Sequence, residues 1–151
     1  MNELVKRYAS HGLQVIGLPC NQFGYQENLG DAEILNVLKY VRPGNGFVPA
    51  FPLMAKMDAN GAKADILWQW IRQSLPYPSD TPTGPFIVGQ VDVFWAPVSR
   101  TDLGWNFEKF LMDRNGRPYK RWSEAIHTLD PDIIHAIETL LLVNRSVTLS
   151  H

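Results

Sequence analysis

The sequence predicts a single α/β domain over residues 1–151, with helices packed against a central sheet. Three observations predict it. Helical and strand-like patterns alternate along the chain, residues 13–18 form a short apolar run between Gly12 and Pro19, and Asn115-Gly116 separates two further apolar runs. A short, continuously apolar run reads as a strand buried on both faces, which needs neighbours on each side. A chain of 151 residues can bury one sizeable core but not two.

The elements follow in order. Residues 2–11 carry Leu4, Val5 and Tyr8 at helical spacing, and Gly12 stops them. Residues 13–18 are the first strand, closed by Pro19-Cys20-Asn21 and followed by a polar loop. Residues 31–41 are a helix with Asp31 as N-cap and Ile34, Leu35, Leu38 and Val41 as one apolar stripe. Pro43-Gly44-Asn45-Gly46 ends it. Residues 52–58 are a second strand and Ala59-Asn60-Gly61 a turn. Residues 64–75 are an amphipathic helix with Ile66, Leu67, Trp70 and Ile71 facing inward. The Pro-, Ser-, Thr- and Gly-rich stretch 76–89 is a loop excursion, and 91–95 is a short strand. Residues 107–112 and 117–122 form a hairpin about Asp113-Arg114-Asn115-Gly116. Asp130-Pro131-Asp132 opens a last helix whose stripe is Ile133, Ile134, Ile137, Leu140 and Leu141. A helix running into the first strand implies a further strand before it, because a parallel βαβ unit starts with β. The sequence is therefore expected to begin within such a unit, with its N-terminal strands absent.

Composition narrows the function. A hydrophobic fraction of 45% and a charged fraction of 19% belong to an ordinary globular protein, not a disordered regulator. A net charge of −1 with scattered basic residues gives no electrostatic case for nucleic acid or an anionic membrane surface. No apolar run reaches the length of a membrane span. The single cysteine, Cys20, excludes an internal disulfide, and His11, His127, His135 and His151 lie too far apart for a zinc motif.

Three stretches carry chemistry. They are the run 18–28 (Leu-Pro-Cys-Asn-Gln-Phe-Gly-Tyr-Gln-Glu-Asn), the run 38–44 (Leu-Lys-Tyr-Val-Arg-Pro-Gly) and the run 105–110 (Trp-Asn-Phe-Glu-Lys-Phe). Together, in this order, they resemble the signatures of the glutathione peroxidases. The resemblance implies a thioredoxin-like fold, with a central mixed sheet flanked by helices. It also implies reduction of hydrogen peroxide and organic hydroperoxides by glutathione in the oxidative-stress response. The family's attacking residue is selenocysteine or, in some members, cysteine, and the match places it upstream of Met1. Cys20 matches a different family position and reads as a small, mostly buried side chain.

A peroxidase needs a chalcogen anion, since the protonated form is a weak nucleophile. By resemblance, its neutral hydrogen-bond donors are Gln26, Trp105 and Asn106, none of which titrates near neutral pH. Glutathione brings two carboxylates, and the matching cations are Arg42, Arg100, Lys120 and Arg121. Glutathione acts as co-substrate, and neither metal nor cofactor is expected. The loop 76–97 and the turn at Asn45 resemble those of the tetrameric animal enzymes, implying a homotetramer. Asn stands at position 45 where the family usually has Gly, a change that a left-handed backbone tolerates. Family members are cytosolic or secreted, and the resemblance implies no choice between them.

The preferred explanation is a selenocysteine enzyme in which translation has been taken from a methionine codon downstream of the active-site UGA. The short chain alone is then expected to lack peroxidase activity and to fold poorly. Two rival readings stand beside it: a redox-dead binding or regulatory module that keeps Gln26, Trp105 and Asn106, and a peroxiredoxin-like peroxidase using Cys20.

Overall fold

The computed structural model describes residues 1–80 and 93–142. Helix α1 (Asn2–Tyr8) passes into a 3-10 turn (Ala9–His11) that Gly12 ends at φ 104°. Then come α2 (Asp31–Tyr40), α3 (Ile66–Ser74), β1 (Lys109–Met112), β2 (Pro118–Trp122) and α4 (Pro131–Leu142).

The hairpin is the wedge about which the described residues pack. β1 and β2 pair antiparallel, with Phe110 opposite Arg121 and Lys109 opposite Trp122. In the turn, the Asp113 carboxylate accepts from the N–H groups of Asn115 and Arg117, each at 2.8 Å. Gly116 takes φ 77°, as the Asn-Gly signal requires. Strand side chains alternate between faces, so the hairpin presents a different surface to each side. Leu111 and Trp122 pack with Leu4 of α1 and with Ile133, Ala136 and Ile137 of α4. Phe110 and Met112 pack on the other side, with Phe23, Ala59, Trp68, Ile71 and Leu103. Trp68 meets Phe110 edge-on at 5.4 Å. α4 starts as expected, Asp130 Oδ1 accepting the Asp132 N–H at 2.9 Å.

Several expectations are corrected. Residues 13–18 and 52–58 run extended and parallel but share one bridge, Gly17 with Leu53, so the sheet between them is narrower than the apolar pattern implied. Residues 13–18 are not buried on both faces: Ile16 is 56% exposed, so among the described residues no layer covers its side of the segment. In α3 the inward face is Trp68, Ile71 and Arg72, while Ile66 is 76% exposed and Trp70 also faces outward. The Asp65 carboxylate caps this helix at the Leu67 N–H, and the stripe Ala64, Trp68, Ile71 and Arg72 then falls on the core. In α2 the N-cap is Gly30, whose N–H donates to the Glu33 carboxylate. Asp31 lies inside the first turn and accepts the Lys56 N–H instead. Of its expected stripe Ile34 is buried, whereas Leu35 and Val41 are exposed. The expected strand 91–95 is unpaired over its described part, 93–95. The remainder of that strand, with 81–92 of the long loop, lies outside the described residues.

Candidate active site

Two loops meet beside the second core. One is the polar segment after the first extended run, residues 19–30; the other runs from Ser99 to Glu108 into β1. Buried polar groups lock them together. The Gln22 carboxamide oxygen accepts the N–H groups of Ala59 and Asn60, and its Nε2 donates to the Asn60 carbonyl. Asn60 in turn exchanges two bonds with Leu103, both at 2.9 Å. Such groups are costly to leave unmatched once buried, so the ring of bonds fixes both loops.

Two ion pairs hold the second loop from below. Asp102 binds the Arg72 guanidinium through one oxygen; the other accepts from the Trp95 indole and the Ser99 N–H, each at 2.8 Å. Glu108 accepts the Gly104 N–H at 2.6 Å and the Arg121 Nε at 2.7 Å. Burial pushes the Glu108 carboxyl above its ordinary range, and the Arg121 guanidinium opposes that rise. The turn carrying Trp105 and Asn106 is thus anchored on both sides, at Asp102 and at Glu108.

On this scaffold Gln26 and Asn106 bond each other, and the Trp105 ring packs alongside them. The Asn106 side-chain amide donates to Gln26 Oε1 at 2.8 Å, joining residues 80 apart in sequence. That bond orients the Gln26 carboxamide with its oxygen toward Asn106. Trp105 packs on Phe23, with ring centroids 6.0 Å apart. Gly24, at φ 64°, sits between Trp105 and Gln26: a Cβ there would lie 3.3 Å from the Trp105 ring and 3.6 Å from Gln26 Cγ. A glycine is what permits this close approach. Among the described residues, neither Gln26 Nε2 nor the Trp105 indole N–H donates to a protein acceptor, so both are available to a ligand. Backbone strain flanks the pair. Tyr25, just before Gln26, has φ 51°, and Phe107, just after Asn106, has φ 63°. Such conformations are uncommon for bulky residues and gather at functional sites.

The four cations fare differently. Arg42 reaches the site, its Nη2 donating to the Gln26 carbonyl at 3.0 Å from an exposed position. Arg100 is exposed on the Ser99 turn. Lys120 pairs with Asp132 at 2.7 Å on the face toward α4 and lies over the Trp122 ring. Arg121 is corrected. It is 1% exposed, and its donors are taken by Glu108 and by the carbonyls of Leu75, Pro76, Thr101 and Asp102. It braces the site from within and offers no fork to a carboxylate in solvent.

Cys20 is half-buried, and burial pushes its thiol above the usual range, the reverse of what an attacking cysteine needs. A shallow cleft of about 380 Å³ lined by Asn21, Lys56, Met57, Asp58, Lys63 and Asp65 includes none of the candidate residues. Among the described residues no cluster of His, Cys, Asp and Glu could hold a metal ion. Sequence reasoning missed the positioning residues Gln22, Asn60, Arg72, Asp102 and Glu108. Gln22 and Glu108 lie inside the quoted motifs, the one signal that could have singled them out.

Comparisons with known proteins bear on family and fold. The family model described as Glutathione peroxidase matches residues 1–72. The chain is 51% identical over 143 residues to glutathione peroxidase 1 of Mus musculus, covering 93% of this chain and 69% of that protein. It is also 51% identical over 135 residues to the Rattus norvegicus protein of the same name, covering 88% and 67%. With that of Sus scrofa the identity is 50%, covering 88% and 65%. The chain thus spans about two thirds of the length of these relatives. Among solved structures, T. cruzi GPX1 superposes with a TM-score of 0.58 at 28% identity, over 93% of this chain and 67% of that one. These likenesses make the fold thioredoxin-like, as the motifs implied. The chain belongs to the glutathione peroxidase family.

Proposed function

We propose that the protein carrying this chain reduces hydrogen peroxide and organic hydroperoxides with glutathione. The Asn106–Gln26 bond beside Trp105 is the observation that carries the reading. It gathers uncharged N–H donors at one spot without a base that would compete for a proton. Donors of this kind stabilise an anion and lower its pKa. The anion is a selenolate or thiolate brought to that spot. It takes the terminal oxygen of the hydroperoxide as the O–O bond breaks and the alkoxide leaves to collect a proton. One glutathione thiol then displaces that oxygen as water. A second releases glutathione disulfide and restores the anion, so two thiols are oxidised for each peroxide reduced.

Arg42 and Arg100, the two exposed guanidinium groups of the expected set, bind the glutathione carboxylates. Lys120, on the face toward α4, takes a secondary part. The test is expression of the protein encoded by the whole transcript, with peroxide consumption coupled to glutathione oxidation. The expected result is turnover of hydrogen peroxide and cumene hydroperoxide that stops when glutathione is withheld. Peroxide consumption that ignores glutathione would overturn the reading.

A homotetramer is part of the proposal. Tyr40, Val41 and Val48 are exposed around the turn at Asn45, which takes φ 52°, and side chains of this kind favour burial in a subunit contact. Sedimentation of the complete protein should give four times the chain mass; a monomer at micromolar concentration would remove this part.

A further inference from the structure

We infer that Tyr25 and Phe94 form an aromatic rim beside the donor site, with Phe107 exposed on its far side in sequence, that selects hydroperoxides with an aromatic or bulky apolar tail. The inference rests on the peroxidase reading of that site. The Tyr25 and Phe94 rings lie 3.9 Å apart at 41°, and both remain well exposed. Phe107 is 85% exposed. Large apolar side chains grouped in solvent mark a contact surface more often than chance decoration.

Position ties these rings to the donors. Tyr25 precedes Gln26 and Phe107 follows Asn106, so one residue on each side of the Gln26–Asn106 bond is an exposed aromatic. Phe94 precedes Trp95, which packs edge-on against Phe23 at 5.8 Å, and Phe23 also carries Trp105. Backbone preference makes the choice of residues informative. Tyr25 and Phe107 both occupy left-handed conformations, where Gly or Asn would sit with less strain. Bulky rings kept in solvent at two strained positions, both flanking the donors, serve something other than local folding. Hydrogen peroxide has no tail to touch such a rim, whereas an aryl or alkyl hydroperoxide presents apolar carbon directly behind its reacting oxygens. Aromatic contact and desolvation of that carbon supply the discrimination.

Two unreactive alcohols test the rim without turnover: cumyl alcohol, the product of cumene hydroperoxide, and tert-butanol, which lacks the ring. Each is titrated into the ¹⁵N-labelled protein encoded by the whole transcript, following the side-chain amide signals of Gln26 and Asn106 and the Trp105 indole. Cumyl alcohol should bind about tenfold more tightly than tert-butanol. Tyr25→Asn, which relaxes the left-handed backbone while deleting the ring, and Phe94→Ala should each bring that ratio down severalfold. Tyr25→Phe should keep it. If neither alcohol moves the three signals, the reading of the site itself fails. If both do and the ratio is unchanged in Tyr25→Asn and Phe94→Ala, the rim alone is wrong. A change in oligomer mass with no change in the ratio would also overturn it, making the patch a subunit contact.

Discussion

Replacing Arg121 with methionine is expected to lower the free energy of unfolding by about 3–5 kcal/mol at neutral pH, the cost of stranding one member of a buried ion pair. Both side chains of the Arg121–Glu108 pair are fully enclosed. Without the guanidinium, Glu108 keeps only the Gly104 N–H. The loss should depend on pH. Burial already raises the Glu108 pKa, and removing Arg121 withdraws the influence that opposes this rise. A carboxyl whose folded pKa lies above its unfolded value favours folding most when protonated, and that advantage is lost as pH climbs through the folded pKa. The deficit of Arg121→Met should therefore be full near neutrality and shrink as pH falls toward the ordinary glutamate range. Adding Glu108→Gln should restore much of the stability, because a neutral amide costs far less to bury. Denaturant titrations from pH 4 to pH 7.5 would decide it, and a small, pH-independent loss would show that the pair does not brace the fold.

The second large effect concerns chemistry. Trp105→Phe keeps a ring against Phe23 but removes the indole N–H, and Asn106→Asp replaces a donor with a negative charge. In the complete enzyme each should lower kcat/KM for hydrogen peroxide by about 10²–10³, the usual consequence of deleting one preorganised donor to a reacting anion. Asn106→Asp should be the worse, since a carboxylate also repels the anion. Activity alone cannot separate anion stabilisation from a general loosening of the turn. Iodoacetate alkylation of the reduced enzyme across pH does, because only the anion reacts. Its midpoint should move to higher pH in both variants. A large loss of turnover with an unmoved midpoint would mean that these residues do not act on the anion.

How much of this was legible in the sequence depended on how far apart the interacting residues lie. The hairpin and α4 were readable because their determinants are local: Asp113 with Asn115-Gly116, and Asp130 with Pro131 and Asp132. The face of α3 was not. Apolar residues fill Ile66, Leu67, Trp68, Trp70 and Ile71, so periodicity could not choose between Trp68 and Trp70. The Asp65 cap and the contact of Trp68 with Phe110 chose. The sheet was overestimated because a short apolar run announces burial without saying how many neighbours it finds. That Gln26 and Asn106 meet was legible through the motifs alone, since a loop Gln and a turn Asn carry no signal of their own. Arg121 was misread for a related reason. A basic pair beside Tyr119 looks solvated in sequence, yet strand alternation turns Lys120 toward Asp132 and Arg121 into the interior under Asp102 and Glu108.

The 80-residue separation between Gln26 and Asn106 also bears on when the protein becomes reactive. Closing so long a loop is entropically unfavourable until most of the intervening chain has found its place, and the Asn60–Leu103 and Arg121–Leu75 links impose the same order on their own segments. No early hairpin or isolated helix can stand in for the assembled pair. On the proposed function, a nascent or half-folded chain would hold its chalcogen without the donors that orient and stabilise its anion. Full reactivity toward peroxide would arrive only as folding finishes.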